Sequence, residues 1–191
     1  METQHANRSR VGAILLNPSR EENGASRTHL VLEDVRIAKT WETLEIANLV
    51  KTPTRNSKEL EQVATSFQLF LDARSRLETV LESSNTLVFA WGVAPLRGLA
   101  GKYVRNQVSW VISRALHHGH THAWLMGGHP RHPSRWRQYV GPQRGLFDGA
   151  TTVDRLLQGL EHCTVETAQP RGNETSETLG NLLGKIGKKS A

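Results

Sequence analysis

The chain has 191 residues, long enough for one ordinary core and short for two. Hydrophobic residues at 37% and charged residues at 22% suit a globular protein that carries some polar, unstructured sequence. No apolar run approaches the roughly 18 residues of a membrane span, and a single cysteine, Cys163, excludes an internal disulfide and an all-cysteine metal cluster.

The N-terminal METQHANRSR lacks the apolar stretch of a secretory signal, so a cytoplasmic protein is expected. A formal net charge of +6 favours polyanionic partners, nucleic acid above all. Three of the lysines, Lys185, Lys188 and Lys189, fall at the C-terminus, where they also suit a solubilising extension.

Residues 1–10 read as a loose N-terminus. Val11–Leu16 (VGAILL) is an apolar run of strand length, stopped by Asn17-Pro18 because proline cannot extend a central strand. Leu30 to Trp41 reads as a helix, and Leu44–Val50 (LEIANLV) as a second strand ended by Thr52-Pro53. Ser57 is the expected cap of a long helical pattern through Leu60, Phe67 and Phe70 to Leu81, with a break near Asp72. Thr86–Ala90 (TLVFA) is the third strand, and Val104 to Leu116 an amphipathic helix. Ala123–Met126 (AWLM) is the fourth strand, and Val153–Leu160 a closing helix.

Strands alternating with helices require crossover connections. The expected fold is therefore an α/β three-layer sandwich with a mainly parallel, four-stranded sheet, forming a single domain over residues 11–167. Residues 168–191 turn polar and glycine-rich and read as a flexible basic tail. Leu179, Leu182, Leu183 and Ile186 could form an amphipathic segment there, but the intervening glycines oppose a stable isolated helix.

In an open parallel sheet, ligands bind beyond the carboxyl ends of the strands. Here those ends carry Asn17-Pro18-Ser19, then Asn48 with Lys51-Thr52-Pro53, then Trp91-Gly92, then GGHPRHPSRW from Gly127 to Trp136. Asn17-Pro18 and Thr52-Pro53 are also ordinary turn formers, and Trp91 is also suited to a core. Asn48 within an apolar strand needs a partner, because an unpaired buried amide costs ~1–3 kcal/mol. The GGHPRHPSRW segment has two glycines for close backbone approach, two prolines that stiffen it, and His129 and His132 in fixed positions.

Six of the nine histidines lie between positions 117 and 132. His118, His120 and His122 alternate and could share a strand face, which permits zinc, yet HHGH also suits the end of a helix, where histidine complements the dipole. No HExxH or HxE…CxxC pattern is present, so no metal and no cofactor is expected. The absence of GxxxxGK[ST], of strand–GxGxxG–helix and of GxSxG disfavours nucleotide hydrolysis, dinucleotide redox chemistry and an α/β-hydrolase elbow.

Taken together, LLNPS, the spacing from Thr28 to Asn48, FAWG and GHPRHP resemble the bacterial family catalogued as domain of unknown function 1643, over about residues 11–139. Family members usually continue LLNPS with Thr-Ala-Asp and carry an acidic pair before the threonine matched by Thr28. Arg20-Glu21-Glu22 and Ala25-Ser26-Arg27 stand there instead, with Glu21 or Glu22 as the available acidic substitutes.

A more distant resemblance, to the uracil-DNA-glycosylase superfamily, rests on the order LNPS, IANLVKTPTRN, FAWGVAP and HPSRW. That resemblance implies a glycosylase-like fold and nucleobase chemistry on nucleic acid, DNA in the first instance. It implies that Asn17 orients water against the anomeric carbon of a flipped nucleotide, and that Asn48 pairs with the base edge. His132, or else His129, would stabilise charge on the departing base. Pro18, Ser19, Trp91 and Gly92 would frame the base, while Lys51, Arg131, Ser134 and Arg135 would contact phosphates. Two other functions share these residues: non-catalytic binding of nucleic acid or nucleotides on the same fold, and metal-dependent hydrolysis through the histidine cluster.

Overall fold

The computed structural model describes residues 9–18, 26–149 and 151–170. Ser19, Glu21, Glu22 and nearly all of the expected tail lie outside the described residues. Among the described residues, twelve α-helices and strands follow one another as β1 (Arg10–Leu15), α1 (Arg27–Ala38), β2 (Thr43–Asn48), α2 (Ser57–Val63), α3 (Gln68–Leu71), α4 (Arg74–Ser83), β3 (Thr86–Ala90), α5 (Gly98–His117), β4 (His122–Met126), α6 (Trp136–Tyr139), α7 (Thr152–Gly159) and β5 (Leu160–Thr164).

The sheet has five strands rather than the expected four, in the order β2-β1-β3-β4-β5. The first three pairings are parallel and β5 joins antiparallel to β4. β5 escapes a hydrophobic reading because LEHCT buries Leu160 alone among its five residues, as an edge strand can. Leu160, expected to end the closing helix, instead starts this strand. α7 stops at Gly159 after opening with a capping box between Thr151 and Asp154.

Alternation within each strand sorts side chains between two helical layers. Val11, Ala13, Leu15, Val88, Ala90 and Met126 pack with Val31, Leu32 and Val35 of α1 and Leu156 of α7. Ile14, Leu87, Phe89, Ala123 and Leu125 pack on the other face with α4 and α5. Gly12 is required for that packing, since a Cβ there would meet Ser84 Oγ at 2.5 Å and a Val80 methyl at 2.7 Å.

The long helical pattern breaks twice. The chain leaves helix between α2 and α3 as well as at Asp72, the C-cap of α3. The cap of α2 is Asn56 rather than Ser57: its side chain accepts from Glu59 N at 3.0 Å. At the opposite end of the chain, Val165 and Ala168 are buried in the core, so the packed region runs one residue into the stretch expected to be tail. Among the described residues no helix is long and apolar enough to cross a membrane.

This topology fixes where a ligand can sit. From β1 the chain crosses outward to edge strand β2 over one face, then returns past β1 to β3 over the other. The connections therefore diverge between β1 and β3, and a crevice opens at their carboxyl ends. Leu15 pairs with Asn48 on one side and with Ala90 on the other, so Asn17, Asn48 and Trp91 emerge at one edge of the sheet.

Candidate functional site

At that edge lies a cavity of about 880 Å³, within the range of pockets that enclose a whole small ligand (~300–1,000 Å³). Asn17, Pro18, Asn48, Trp91, Gly92, Arg131, His132, Ser134 and Arg135 all line it. Lys51 and His129 do not. Lys51 is lost because pairing with the β1 strand continues past β2, through Leu49 N to Leu15 O at 2.8 Å and Val50 N to Leu16 O at 3.0 Å. Leu49 and Val50 are thereby buried, and the next residue is released to solvent. His129 is lost because Gly127 and Gly128, at φ +59° and +67°, fold the chain back so that His129 bridges Met126 instead.

The first wall comes from the ends of β1 and β2. Asn17 Nδ2 donates to Pro18 O at 2.9 Å and to Thr54 O at 3.1 Å, tying the two loops together. With both amide hydrogens engaged, Oδ1 is the atom Asn17 has to offer, an acceptor and not a base. Asn48 is held from behind. The next residue's carbonyl, Leu49 O, accepts from Gln107 Nε2 at 3.2 Å, and the fully buried Gln107 also donates to Phe70 O at 2.9 Å and accepts from Arg74 Nε at 3.1 Å. Asn48 Oδ1 is buried with no hydrogen-bond partner, and the same holds for Oγ1 of Thr54, a residue only 4% exposed.

The second wall comes from the ends of β3 and β4. Trp91 serves core and cavity together: it is 5% exposed, packs on Phe89 with ring centroids 4.7 Å apart, and still lines the space. Gly92, at φ +100°, donates its N–H to Pro130 O at 2.6 Å, which locks the β3 loop to the GGHPRHPSRW segment. Trp136, fully buried, anchors that segment by donating Nε1 to Arg131 O at 2.6 Å. The Arg131 guanidinium lies 4.3 Å from the Tyr139 ring centroid, a cation–π contact, and its Nε is buried without a hydrogen-bond partner.

His132 has a defined protonation. Ser134 N donates to its Nδ1 at 3.4 Å, with Ser134 Oγ 2.9 Å from the same atom. Burial, and then the positive charge of Arg135, push the imidazole below the ordinary histidine range. The ring is neutral near pH 7, with Nδ1 accepting and the hydrogen on Nε2, and so presents a donor without a charge.

Sequence reasoning misses Thr54, Tyr139, Arg27, Arg55 and Arg144 of this lining. Together with Arg131 and Arg135, these bring five arginines to the cavity, with no aspartate or glutamate among its described lining residues. Among the described residues, none of the five arginines is in an ion pair. Net charge alone hints at such a basic face, but its location depends on which loops meet in three dimensions.

The histidines do not converge. His118 caps α5 and lies 2.9 Å from Glu78, which Arg114 also binds; these contacts hold the Glu78 carboxyl down to about 2. His120 Nε2 lies 2.8 Å from Leu81 O, and His122 stacks on His162 with centroids 4.9 Å apart. A strand face shared by three histidines does not form, and among the described residues no group of three or more His, Cys, Asp or Glu side chains could hold a metal.

No curated protein and no solved structure matches the chain. A family model does match, over residues 2–134, and that span carries β1 to β4 with the cavity motifs from Asn17 to Ser134. The chain belongs to the family described as protein of unknown function (DUF1643).

Proposed function

We propose that the cavity binds a nucleobase and its flanking phosphate, and that it acts on nucleic acid as a glycosylase-like site, hydrolysing an N-glycosidic bond. The observation that carries this reading is the meeting of Asn17, Asn48, Trp91 and His132 in one cavity lined by arginines and no described carboxylate. The similarity in motif order to the uracil-DNA-glycosylase superfamily supports it, including LNPS and IANLVKTPTRN on one wall and HPSRW on the other.

The residues divide the work as follows. Asn48 reads the base edge, and Trp91 supplies an apolar wall beside it. Asn17 Oδ1 accepts from a water and aims its oxygen at the anomeric carbon. As the C–N bond breaks, electron density moves onto the base, where the His132 Nε2–H donates to it. The hydroxyl stays on the sugar, and the water's second proton passes to solvent or to the released base. Ser134, Arg131 and Arg135 hold phosphate oxygens.

A second reading, non-catalytic binding on the same surface, is favoured by one feature: Asn17 cannot take a proton, and the described lining offers no carboxylate to take it instead. Incubation with oligonucleotides containing uracil, hypoxanthine or other modified bases separates the two. Hydrolysis predicts free base that is lost in Asn17→Ala. Intact substrate at stoichiometric enzyme, with salt-sensitive binding that survives Asn17→Ala, leaves only the binding function.

A further inference from the structure

We infer that the cavity takes an entire multiply phosphorylated nucleotide, with its phosphates on a collar of arginines and its base against Asn48 and Thr54, rather than a base alone. This rests on the reading of the cavity as a nucleobase site and extends it to the class of ligand.

Three observations carry it. Arg27, Arg55, Arg135 and Arg144 come from four separate stretches of chain, are all exposed, and all line this cavity. Among the described residues none of the four is paired with a carboxylate, and a ligand with several negative charges suits such a cluster. Guanidinium forks favour phosphate because two parallel N–H groups match two oxygens.

The second observation is the concentration of unmet hydrogen bonding in the same place. Asn48 Oδ1, Thr54 Oγ1 and Arg131 Nε are buried without partners, and all three residues line the cavity. Native proteins keep such groups satisfied, so unpaired ones gathered at a cavity mark functional demand. An acceptor on Asn48 and a hydroxyl on Thr54 suit a base edge that carries a donor beside a second polar atom. Arg131 Nε suits an anionic oxygen between base and collar.

The third observation is size. About 880 Å³ exceeds what one planar base needs and suits a base, sugar and phosphates together. Two sources share this chemistry: a free nucleotide, and the phosphorylated end of a single strand.

Calorimetric titration of the full chain tests the inference. The probes are inorganic triphosphate, the nucleosides of the common bases with their mono- and triphosphates, and a 5′-phosphorylated single-stranded oligonucleotide. A nucleoside triphosphate is expected to bind at least ten-fold more tightly than its nucleoside, and Arg55→Gln/Arg144→Gln to weaken it by about ten-fold or more. Thr54→Val is expected to weaken nucleotides while leaving inorganic triphosphate unchanged. Tighter binding of the oligonucleotide than of every free triphosphate supports the inference and assigns the strand end as source; the reverse order supports it and assigns the free nucleotide.

Equal affinity for nucleoside and triphosphate, indifference to the double arginine variant, or no binding of any probe at millimolar concentration overturns it. Its failure is distinct from that of the hydrolytic reading. Phosphate-dependent binding without base release sustains this inference alone, whereas base release insensitive to phosphates and to the arginine variants sustains hydrolysis alone.

Discussion

Replacing Asn17 by aspartate tests how the two loops of the first wall are held. In the wild type, both hydrogens of one amide donate to carbonyls, at 2.9 Å to Pro18 O and 3.1 Å to Thr54 O. A carboxylate has no hydrogen to give and would bring its charge against the same two oxygens. Each lost bond carries a net penalty of about 1 kcal/mol, and more where the acceptor is left unpaired, so a loss of about 2–4 kcal/mol is expected at neutral pH. For a domain of this size, that corresponds to a fall of roughly 5–15 °C in melting temperature.

The pH dependence has a definite sign. A protonated aspartic acid regains one donor, so folding favours the protonated form and raises this carboxyl above its unfolded value. The defect is therefore smallest below the ordinary carboxylate range and grows as pH rises through the raised folded value. Thermal melts of Asn17→Asp and wild type at pH 4.5 and pH 8 measure both effects. A variant within 0.5 kcal/mol of wild type at pH 8, or one whose deficit grows on acidification, would refute the idea that this amide ties the loops.

Thr54→Val keeps the shape of a buried residue while deleting its unpartnered hydroxyl. It is expected to stabilise the free protein by about 1 kcal/mol by denaturant titration, and a comparable destabilisation would mean that the hydroxyl has a structural partner. His132 is held below the ordinary histidine range, so the unfolded chain takes up this proton before the folded protein does, and stability should fall as pH drops from about 6.5 towards the depressed value. In His132→Gln that acid limb should vanish; a wild-type limb centred above pH 6.5 argues against the assigned protonation. Gly127→Ala combines a left-handed backbone at φ +59° with a Cβ only 2.2 Å from Tyr139 Oη. A loss of about 1–3 kcal/mol is expected from the backbone alone, and displacement of Tyr139 from Arg131 should also weaken binding; unchanged melting would show that the turn tolerates a side chain.

Much of the sheet was legible because parallel strands, covered on both faces, write themselves as apolar runs. TLVFA coincides with β3, and VGAILL and AWLM lie within a residue of β1 and β4. β5 was illegible for the complementary reason, since an edge strand with four of its five residues outside the core carries no apolar signature. At the site, strand-end position was the informative signal: it brought Asn17, Asn48, Trp91 and His132 to a common cavity.

The same signal misled where backbone detail decides. Lys51 follows two residues that go on pairing with the β1 chain, and His129 follows two left-handed glycines that turn it away. Arg27, Arg55 and Arg144 lay beyond reach because no local pattern relates the start of α1, the loop before α2 and the turn at residues 142–144. Thr54 follows Thr52-Pro53 in the chain, but no local pattern reveals that its hydroxyl is buried without a partner.

A crystal structure of the protein grown with the tightest-binding nucleotide or strand probe bears most directly on whether the strand-end crevice is where this protein works. The account predicts density for a base lying between Asn48 and Trp91, within hydrogen-bonding distance of Asn48, with phosphate oxygens on at least two of the five cavity arginines. A probe bound on another face, with this crevice unchanged, contradicts it.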